Sequence, residues 1–373
     1  MPIRIAVLKE TRSGERRVAL VPSVVGKMRG LGAEISMQSG AGAAVKLPDK
    51  AYKDVSFVAD AGALVADADI VLAVAPPPVA VADAMKEGAI LISFVYAEKE
   101  PELVARLKAR KIVCFAMEKV PRISRAQAMD ALTSQATLAG YYAVLLGATL
   151  LARILPRMTT AVGSLRPATV LVMGLGVAGL QAIATAHRLG AVVEGYDVRP
   201  ETKEQAASLG AKFVETGVDA RGEGGYAREL TEAEKATVAA AVTRHIQAAD
   251  LIVTTASVPG RKAPRLISRA QVEGMKAGAV IVDLAAEGGG NCECSRPGET
   301  VEVGEVTIAA PLNVPSLLGE HASELYAKNV LNLLELLIRD GRLQPDWSDE
   351  VIAGTALTGA GADAAARTSV AAA

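Results

Sequence analysis

Short apolar runs alternate with helical spacing along most of the chain. "IRIAVL" comes first, a helical pattern follows from Pro22 to Leu31, and "AEISMQ", "ADIVLAVA", "AILISFV" and "KIVCFAM" read as further strands. "PELVARLKARK" spaces its apolar residues as a helix does and carries its cations late, where the negative end of the helix dipole favours them. Strands separated by helices predict βαβ units and a parallel sheet. After Pro156 the pattern restarts, with "TVLVMG", "AVVEGYD", "AKFVE", "DLIVTTA" and "AVIVDLA" as a second set of strands. "HASELYAKNVLNLLELLIR", His321 to Arg339, is a long helix that begins after the second sheet has ended. It is expected to return to the first domain and complete it, with the crossing at "NVPS", Asn313 to Ser316. The domains expected are 1–132 plus 317–373, and 133–316. The tail from Ala353, rich in Gly, Ala and Thr, is expected to fray.

One segment needs a membrane test: from Ala131 to Ala152 no charge appears for 22 residues. Its first third is polar, and Gly140, Gly147 and several threonines dilute the rest, so a buried helix joining two domains is the better reading. A length of 373 residues also suggests two domains. The residues are 51% hydrophobic but only 3% aromatic, a composition of small aliphatics suited to helices packed on a buried sheet. A net charge of −1 leaves no electrostatic footprint for nucleic acid. Cys114, Cys292 and Cys294 make no disulfide framework and point to a reducing compartment. With one CxC pair and with His187, His245 and His321 scattered, no metal site is expected. The N-terminus lacks the apolar core of a secretory signal, and the chain reads as soluble.

The strand "VLVMG" runs into Gly174, Gly176 and Gly179 in GxGxxG spacing, a helical pattern follows, and "AVVEGYD" ends in Asp197 about twenty residues on. In that context each glycine has its own role. Gly174 allows a tight turn, Gly176 the approach of backbone to a pyrophosphate, and Gly179 close packing of helix on strand. Leu175, Val177 and Ala178 complete the turn, whose helix N-terminus offers N–H groups to phosphates. Asp197 is placed to accept hydrogen bonds from ribose hydroxyls and to repel a 2′-phosphate, which favours NAD(H). Val198 and Arg199 follow it, and Arg199 argues the other way, because an arginine can pair with that phosphate. The fold expected is therefore α/β, two Rossmann-like domains with mostly parallel sheets. "TTASVPG" (with Thr255, Ala256 and Ser257) and "DLAAEGGGNCE" each follow an apolar strand and are expected to line the ligand crevice. "GVDARGEGGYAREL", with Gly225 and Tyr226, reads as a flap or a surface insertion.

"PRISRAQAMD", Pro121 to Asp130, gathers two guanidiniums, an amide and a carboxylate just before the charge-free segment. A solvated loop or helix start and a ligand clamp are both open on composition alone. The order of "KETRSGERRVALVP", "MEKVPRISRAQAMD", "GLGVAGLQAIATAHRLGAVVEGYDVR", "GGYAREL", "DLAAEGGGN" and "NVPS" decides between them. The sequence resembles the soluble NAD(H)-binding alpha subunit, domain I, of the proton-translocating NAD(P) transhydrogenases, in its split-gene form, over nearly the whole chain. That resemblance implies a homodimer on the cytoplasmic face of a bacterial inner membrane, attached through membrane-spanning and NADP(H)-binding partner subunits. It also implies direct hydride transfer from NADH to NADP+ on the partner. Arg122, Gln127 and Asp130 then match the residues that reach the nicotinamide, Thr133 stands where the family has a serine that helps hold the carboxamide, and Tyr226 matches a mobile-loop tyrosine. Transfer between two held rings needs positioning and water exclusion, not an acid or base.

Alanine dehydrogenase shares the "KE…RVAL" pattern and is the alternative enzyme. Its arginine is kept as Arg17. Its lysine and histidine positions fall on Ala73 and Tyr96, and losing both of those proton-handling groups argues against amino-acid oxidation. Ala73 also departs from the basic residue that transhydrogenases often carry there. A non-catalytic NAD-binding protein is a third reading.

Overall fold

The structure, a computed structural model, describes residues 2–218, 231–257 and 262–359. The chain divides into two compact units, Met1–Gln135 with Pro315–Ala373, and Ala136–Val314.

In the first unit seven strands lie in the order Ala356–Thr358, Val113–Ala116, Ile90–Ser93, Ile70–Leu72, Ile3–Val7, Ala33–Gln38 and Ser56–Val58. All neighbours pair in parallel except Ala356–Thr358, which runs antiparallel to Val113–Ala116. Register places Ile35, Ile5, Ile70 and Ile90 in one row across the sheet. Both faces are covered, so the strands read as unbroken apolar runs. Helices Ala61–Ala66, Val79–Ala84 and Pro101–Ala109 bury Leu64, Val65, Val81, Leu103 and Leu107 on one face. The helix Gly319–Leu337 covers the other with Tyr326, Val330, Leu333, Leu334 and Leu337. It lies within the first unit.

The second unit has the strand order Lys212–Phe213, Val192–Tyr196, Thr169–Met173, Leu251–Thr254, Val280–Asp283, Val306–Ala309 and Thr300–Val303, with only the last pair antiparallel. Chain order reverses direction between Thr169–Met173 and Leu251–Thr254, the point at which open α/β sheets leave a crevice beyond the strands' carboxyl ends. The charge-free segment is the helix Ala131–Leu150. A Cβ on Gly140 would lie 2.0 Å from the Ala178 carbonyl oxygen, and one on Gly147 would lie 2.4 Å from the Leu251 side chain. The two glycines are contact points, which is why they interrupt the apolar run. Among the described residues no helix is long and apolar enough to cross a membrane.

The tail corrects one expectation. Fraying from Ala353 does not occur within the described residues: Asp349 caps the helix Glu350–Thr355, and Ala356–Thr358 extends the first sheet. Thr358 is buried, and its Oγ1 accepts the Cys114 N–H (3.0 Å) and donates to the Ile112 carbonyl (2.6 Å). Small side chains suit this enclosed edge, so the composition that suggests a loose tail also suits a buried strand. Thr358→Val keeps the shape but leaves two buried backbone groups unpaired, and should cost about 1–3 kcal/mol. A urea melt checks this, and an unchanged midpoint would contradict it.

Candidate functional site

In the second unit the glycine turn is built as its spacing predicts. Gly174 has φ +92°, open to glycine at little cost. A Cβ on Gly179 would lie 1.9 Å from the Gly174 carbonyl oxygen, so any side chain there drives the helix off the turn. A Cβ on Gly176 would meet nothing within 4 Å, leaving open space beside the backbone. Gly176 precedes the helix Val177–Arg188 and no side chain caps it, so the first-turn N–H groups have no side-chain acceptor. That combination fits a dinucleotide pyrophosphate. Leu175 is buried, whereas Val177 and Val198 are exposed.

Asp197 follows the strand Val192–Tyr196, with its carboxylate already engaged. It accepts Leu175 N–H (2.6 Å), Arg199 N–H (2.9 Å), Arg199 Nε (3.0 Å) and Arg199 Nη2 (2.9 Å). Burial opposes ionisation, but these donors outweigh it and hold the carboxyl below its ordinary range. Asp197 is therefore ionised at neutral pH, with its acceptor positions taken by these donors. Arg199 is folded back on Asp197, so its fork serves that carboxylate and does not reach outward for a phosphate.

Of the "TTAS" residues, Thr255 holds the turn, donating from Oγ1 to the Gly174 carbonyl (2.8 Å). Ala256 is partly buried and Ser257 exposed. The sequence marks Asp283 only as part of a crevice-lining loop. It is fully buried and receives Thr254 Oγ1 (3.0 Å), Ala285 N–H (3.0 Å), Asn291 N–H (2.9 Å), Cys292 N–H (3.0 Å) and Ser295 Oγ (2.6 Å). Buried Asn291 donates to the Ala256 and Pro264 carbonyls, each at 2.8 Å, tying the two loops together. An aspartate closing an apolar strand before a glycine run is the sequence signal for this hub. Beside the turn a cavity of about 500 Å³ is lined by Met173, Tyr196, Val242, Thr243, Arg265 and Leu266 among others. Gly225 and Tyr226 lie outside the described residues.

In the first unit the "PRISRAQAMD" run forms a turn at Ser124–Met129 leading into the helix Ala131–Leu150. Its polar residues separate sharply. Asp130 caps the helix, accepting Thr133 N–H (2.9 Å) and Thr133 Oγ1 (2.6 Å). Thr133 is thus brought to Asp130, and Arg122 is not. The Arg122 and Gln127 side chains are exposed and have no hydrogen-bonded or ionic partner among the described residues.

The first unit also contains a small cavity of about 100 Å³ walled by Ala73, Ala75, Glu10, Lys9 and Arg12 among others. Arg17 is buried, with Nε and Nη2 on the two oxygens of Glu15 (2.8 and 2.6 Å) and Nη1 on Gln135 (3.0 Å). Tyr96 stacks on Phe94 at 5.8 Å. Glu10 receives the Val74 N–H (2.6 Å) and Ala75 N–H (3.2 Å), yet burial outweighs these bonds and raises its pKa from 4.5 to about 7. Among the described residues no cluster of His, Cys, Asp and Glu has the form of a metal site, and the three cysteines are free and buried.

The chain matches the family "Alanine dehydrogenase/PNT" in two segments, the N-terminal domain over residues 6–139 and the C-terminal domain over 143–364. It is 45% identical over 373 residues to the first portion of the NAD(P) transhydrogenase alpha subunit of Rhodospirillum rubrum, covering 96% of this chain and 97% of that protein. A solved transhydrogenase structure from Sinorhizobium meliloti superposes with a TM-score of 0.84 at 40% identity, covering 96% of this chain and 98% of the other. The similarity to an alanine dehydrogenase of Mycobacterium tuberculosis is lower, 32% identity over 300 residues, or 79% of this chain and 76% of that one.

Gly179→Ala should abolish measurable NADH binding, through the clash with the Gly174 carbonyl, while the first unit's melting transition stays in place. Calorimetric titration and scanning test both halves, and retained affinity would contradict the packing argument. A second expectation concerns pH. Glu10 has a folded pKa above its unfolded value, so its contribution to stability is full below about pH 4.5 and is lost as pH rises to about 7. Glu10→Gln should flatten that loss, read as the urea midpoint of the first unit at about pH 5 and about pH 8. Equal falls in both proteins would reject the assignment.

Proposed function

The chain belongs to the alanine dehydrogenase/PNT family, and we propose that within it the chain is the NAD(H)-binding alpha subunit of a proton-translocating NAD(P) transhydrogenase. The observation that carries this reading is the pairing of an open glycine turn with a first unit that has Ala73 and Tyr96 where the alanine dehydrogenases have a lysine and a histidine. A dehydrogenase acting on an amino acid must take up a proton and hold a carboxylate. Here position 73 is alanine, position 96 is a tyrosine stacked on Phe94, and both fork nitrogens of Arg17 lie on Glu15. The names of the transhydrogenase relatives, which call them subunit alpha, support a role beside partner subunits. On this reading the chain is a homodimer that works with membrane-spanning and NADP(H)-binding subunits at the inner face of a bacterial inner membrane.

NADH, when bound, supplies the hydride that passes to NADP+ on the partner. The chain's own residues bind and orient. The N–H groups at the start of Val177–Arg188 hold the pyrophosphate, with Gly174, Gly176 and Gly179 allowing the approach. Asp197 is assigned to the ribose hydroxyls, which take the places of Arg199 donors on its carboxylate when nucleotide binds. Thr255, Ala256 and Ser257 border the turn. Arg122 and Gln127 orient the nicotinamide end through charge and amide hydrogen bonds, while Asp130 and Thr133 fix the start of the helix behind them. Gln127 has no ionisable group, and direct hydride transfer asks neither side chain to move a proton. Their contribution is geometric, and near-attack placement accounts for several kcal/mol of barrier in such reactions.

The test is reconstitution with an NADP(H)-binding domain of the same family. Wild-type chain should pass hydride from NADH to an NADP analogue, and Gln127→Asn should slow this by roughly tenfold to a hundredfold with NADH affinity within about threefold. A large loss of binding with unchanged transfer would contradict the role of Gln127. Oxidation of alanine by the chain alone would overturn the functional reading.

A further inference from the structure

We propose that Arg125 and Asp349 are positioning residues, a brace that holds the Ser124–Met129 turn so that Arg122 and Gln127 are presented to the nucleotide. The brace rests on the assignment of that turn to the nicotinamide end. Arg125 donates Nη1 and Nη2 to the two oxygens of Asp349 at 2.9 and 2.6 Å, and its Nε lies 3.5 Å from Glu350 Oε1. Two parallel bonds fix an orientation as well as a distance. The partners are 224 positions apart in the chain, so the pair joins the turn to the C-terminal segment.

Asp349 is itself anchored, because the same carboxylate caps Glu350–Thr355 through Val351 N–H (2.8 Å) and Ile352 N–H (3.4 Å). Val351, Ile352 and Thr355 are fully buried, so that short helix is fixed to the core. Gly354 faces Pro121, and a Cβ there would come within 2.6 Å of the Pro121 ring. The start and the middle of the turn therefore rest on one helix. The far end is held from another side: the Ala128 carbonyl accepts Asn329 Nδ2 (2.8 Å) and Asn332 Nδ2 (3.2 Å), and Asp130 closes onto Thr133. Ala126 and Met129 are buried in the core. Every fastening of the turn uses groups other than the Arg122 and Gln127 side chains.

Magnitude favours placement over stability as the purpose. An ion pair this exposed, with 46% of the Arg125 side chain accessible, adds little to folding. A site loosened by about 1 Å, by contrast, loses orders of magnitude in rate. A built-in reporter lies beside the brace. Trp347, the chain's one tryptophan, sits two residues before Asp349 and stacks on Phe115 at 5.9 Å.

The experiment uses the full chain with Arg125→Ala, Arg125→Lys and Asp349→Ser. Serine keeps a good helix cap and removes the ion pair, so the last variant separates the brace from the folding of Glu350–Thr355. Hydrogen exchange of the 124–129 amides, without nucleotide, should quicken by about tenfold in Arg125→Ala and Asp349→Ser. Melting temperature should hold, and Trp347 emission should shift. In the reconstituted assay transfer should fall by about tenfold with the NADH dissociation constant within about twofold, and the double variant should be no worse than either single one. Arg125→Lys keeps the charge without the fork and should recover only part of the rate. Unchanged exchange in both pair-breaking variants overturns the brace, as does unchanged transfer beside quickened exchange. Wild-type chain that binds NADH and transfers nothing overturns the functional reading instead, and the brace is then judged by exchange and Trp347 emission alone.

Discussion

Close approach of backbone to backbone at the start of the helix Val177–Arg188 is the constraint on which the second unit depends. Gly179 lets the helix touch the Gly174 carbonyl, and Gly140 lets the helix Ala131–Leu150 touch the Ala178 carbonyl. A methyl group at either point would sit about 2 Å from an oxygen, well inside contact distance. Thr255 and Asp197 then secure the same turn through the Gly174 carbonyl and the Leu175 N–H. The result is a helix N-terminus whose position is set from several directions and whose donors face open space. A phosphate site of this kind needs rigidity more than charge, since the N–H groups have to be in place before the ligand arrives.

Charge follows a consistent logic in both units. Carboxylates of the second unit are answered by local donors: Asp197 by Arg199 and Leu175, Asp283 by five groups, and Asp250 by Arg153, Lys276 and the Thr169 N–H. These pairings neutralise the interior without consuming the exposed side chains of the Ser124–Met129 turn. Glu10 is the exception, because its two backbone donors do not offset the cost of burial. It lies in the small cavity of the first unit, away from any side chain to which a positioning role is given.

The two sheets were legible in the sequence because strands covered on both faces carry unbroken apolar runs, and the glycine spacing fell between such a strand and a helical pattern. The long helix at Gly319–Leu337 was legible from its periodicity and from its place after the last strand. What could not be read depends on partners remote in the chain. Ala356–Thr358 is a strand only because Val113–Ala116 presents an edge to it, and its Ala-Leu-Thr sequence is too short to carry a period of its own. Asp283 resembled a crevice residue because strand-end aspartates often are, and only the return of Asn291, Cys292 and Ser295 makes it a buried hub. The loop at Asn313 is mixed: a φ of +44° suits an asparagine, but the bond from its N–H to Glu287 (2.6 Å) has no local signal.

The two arginines of the turn make the same point most sharply. Arg122 and Arg125 are chemically identical and three positions apart, so no local pattern distinguishes them. Asp349 does. A guanidinium paired with a carboxylate on both nitrogens has its donors committed and its plane fixed, which suits a support and not a ligand contact. A guanidinium without a partner keeps only its water, and arginine holds that water more weakly than lysine does, so an incoming polar group displaces it at lower cost. Placing one of each on a single short turn gives an adaptable contact on a fixed base. Exchanging their environments, with the sequence of the turn left unchanged, would lose both properties.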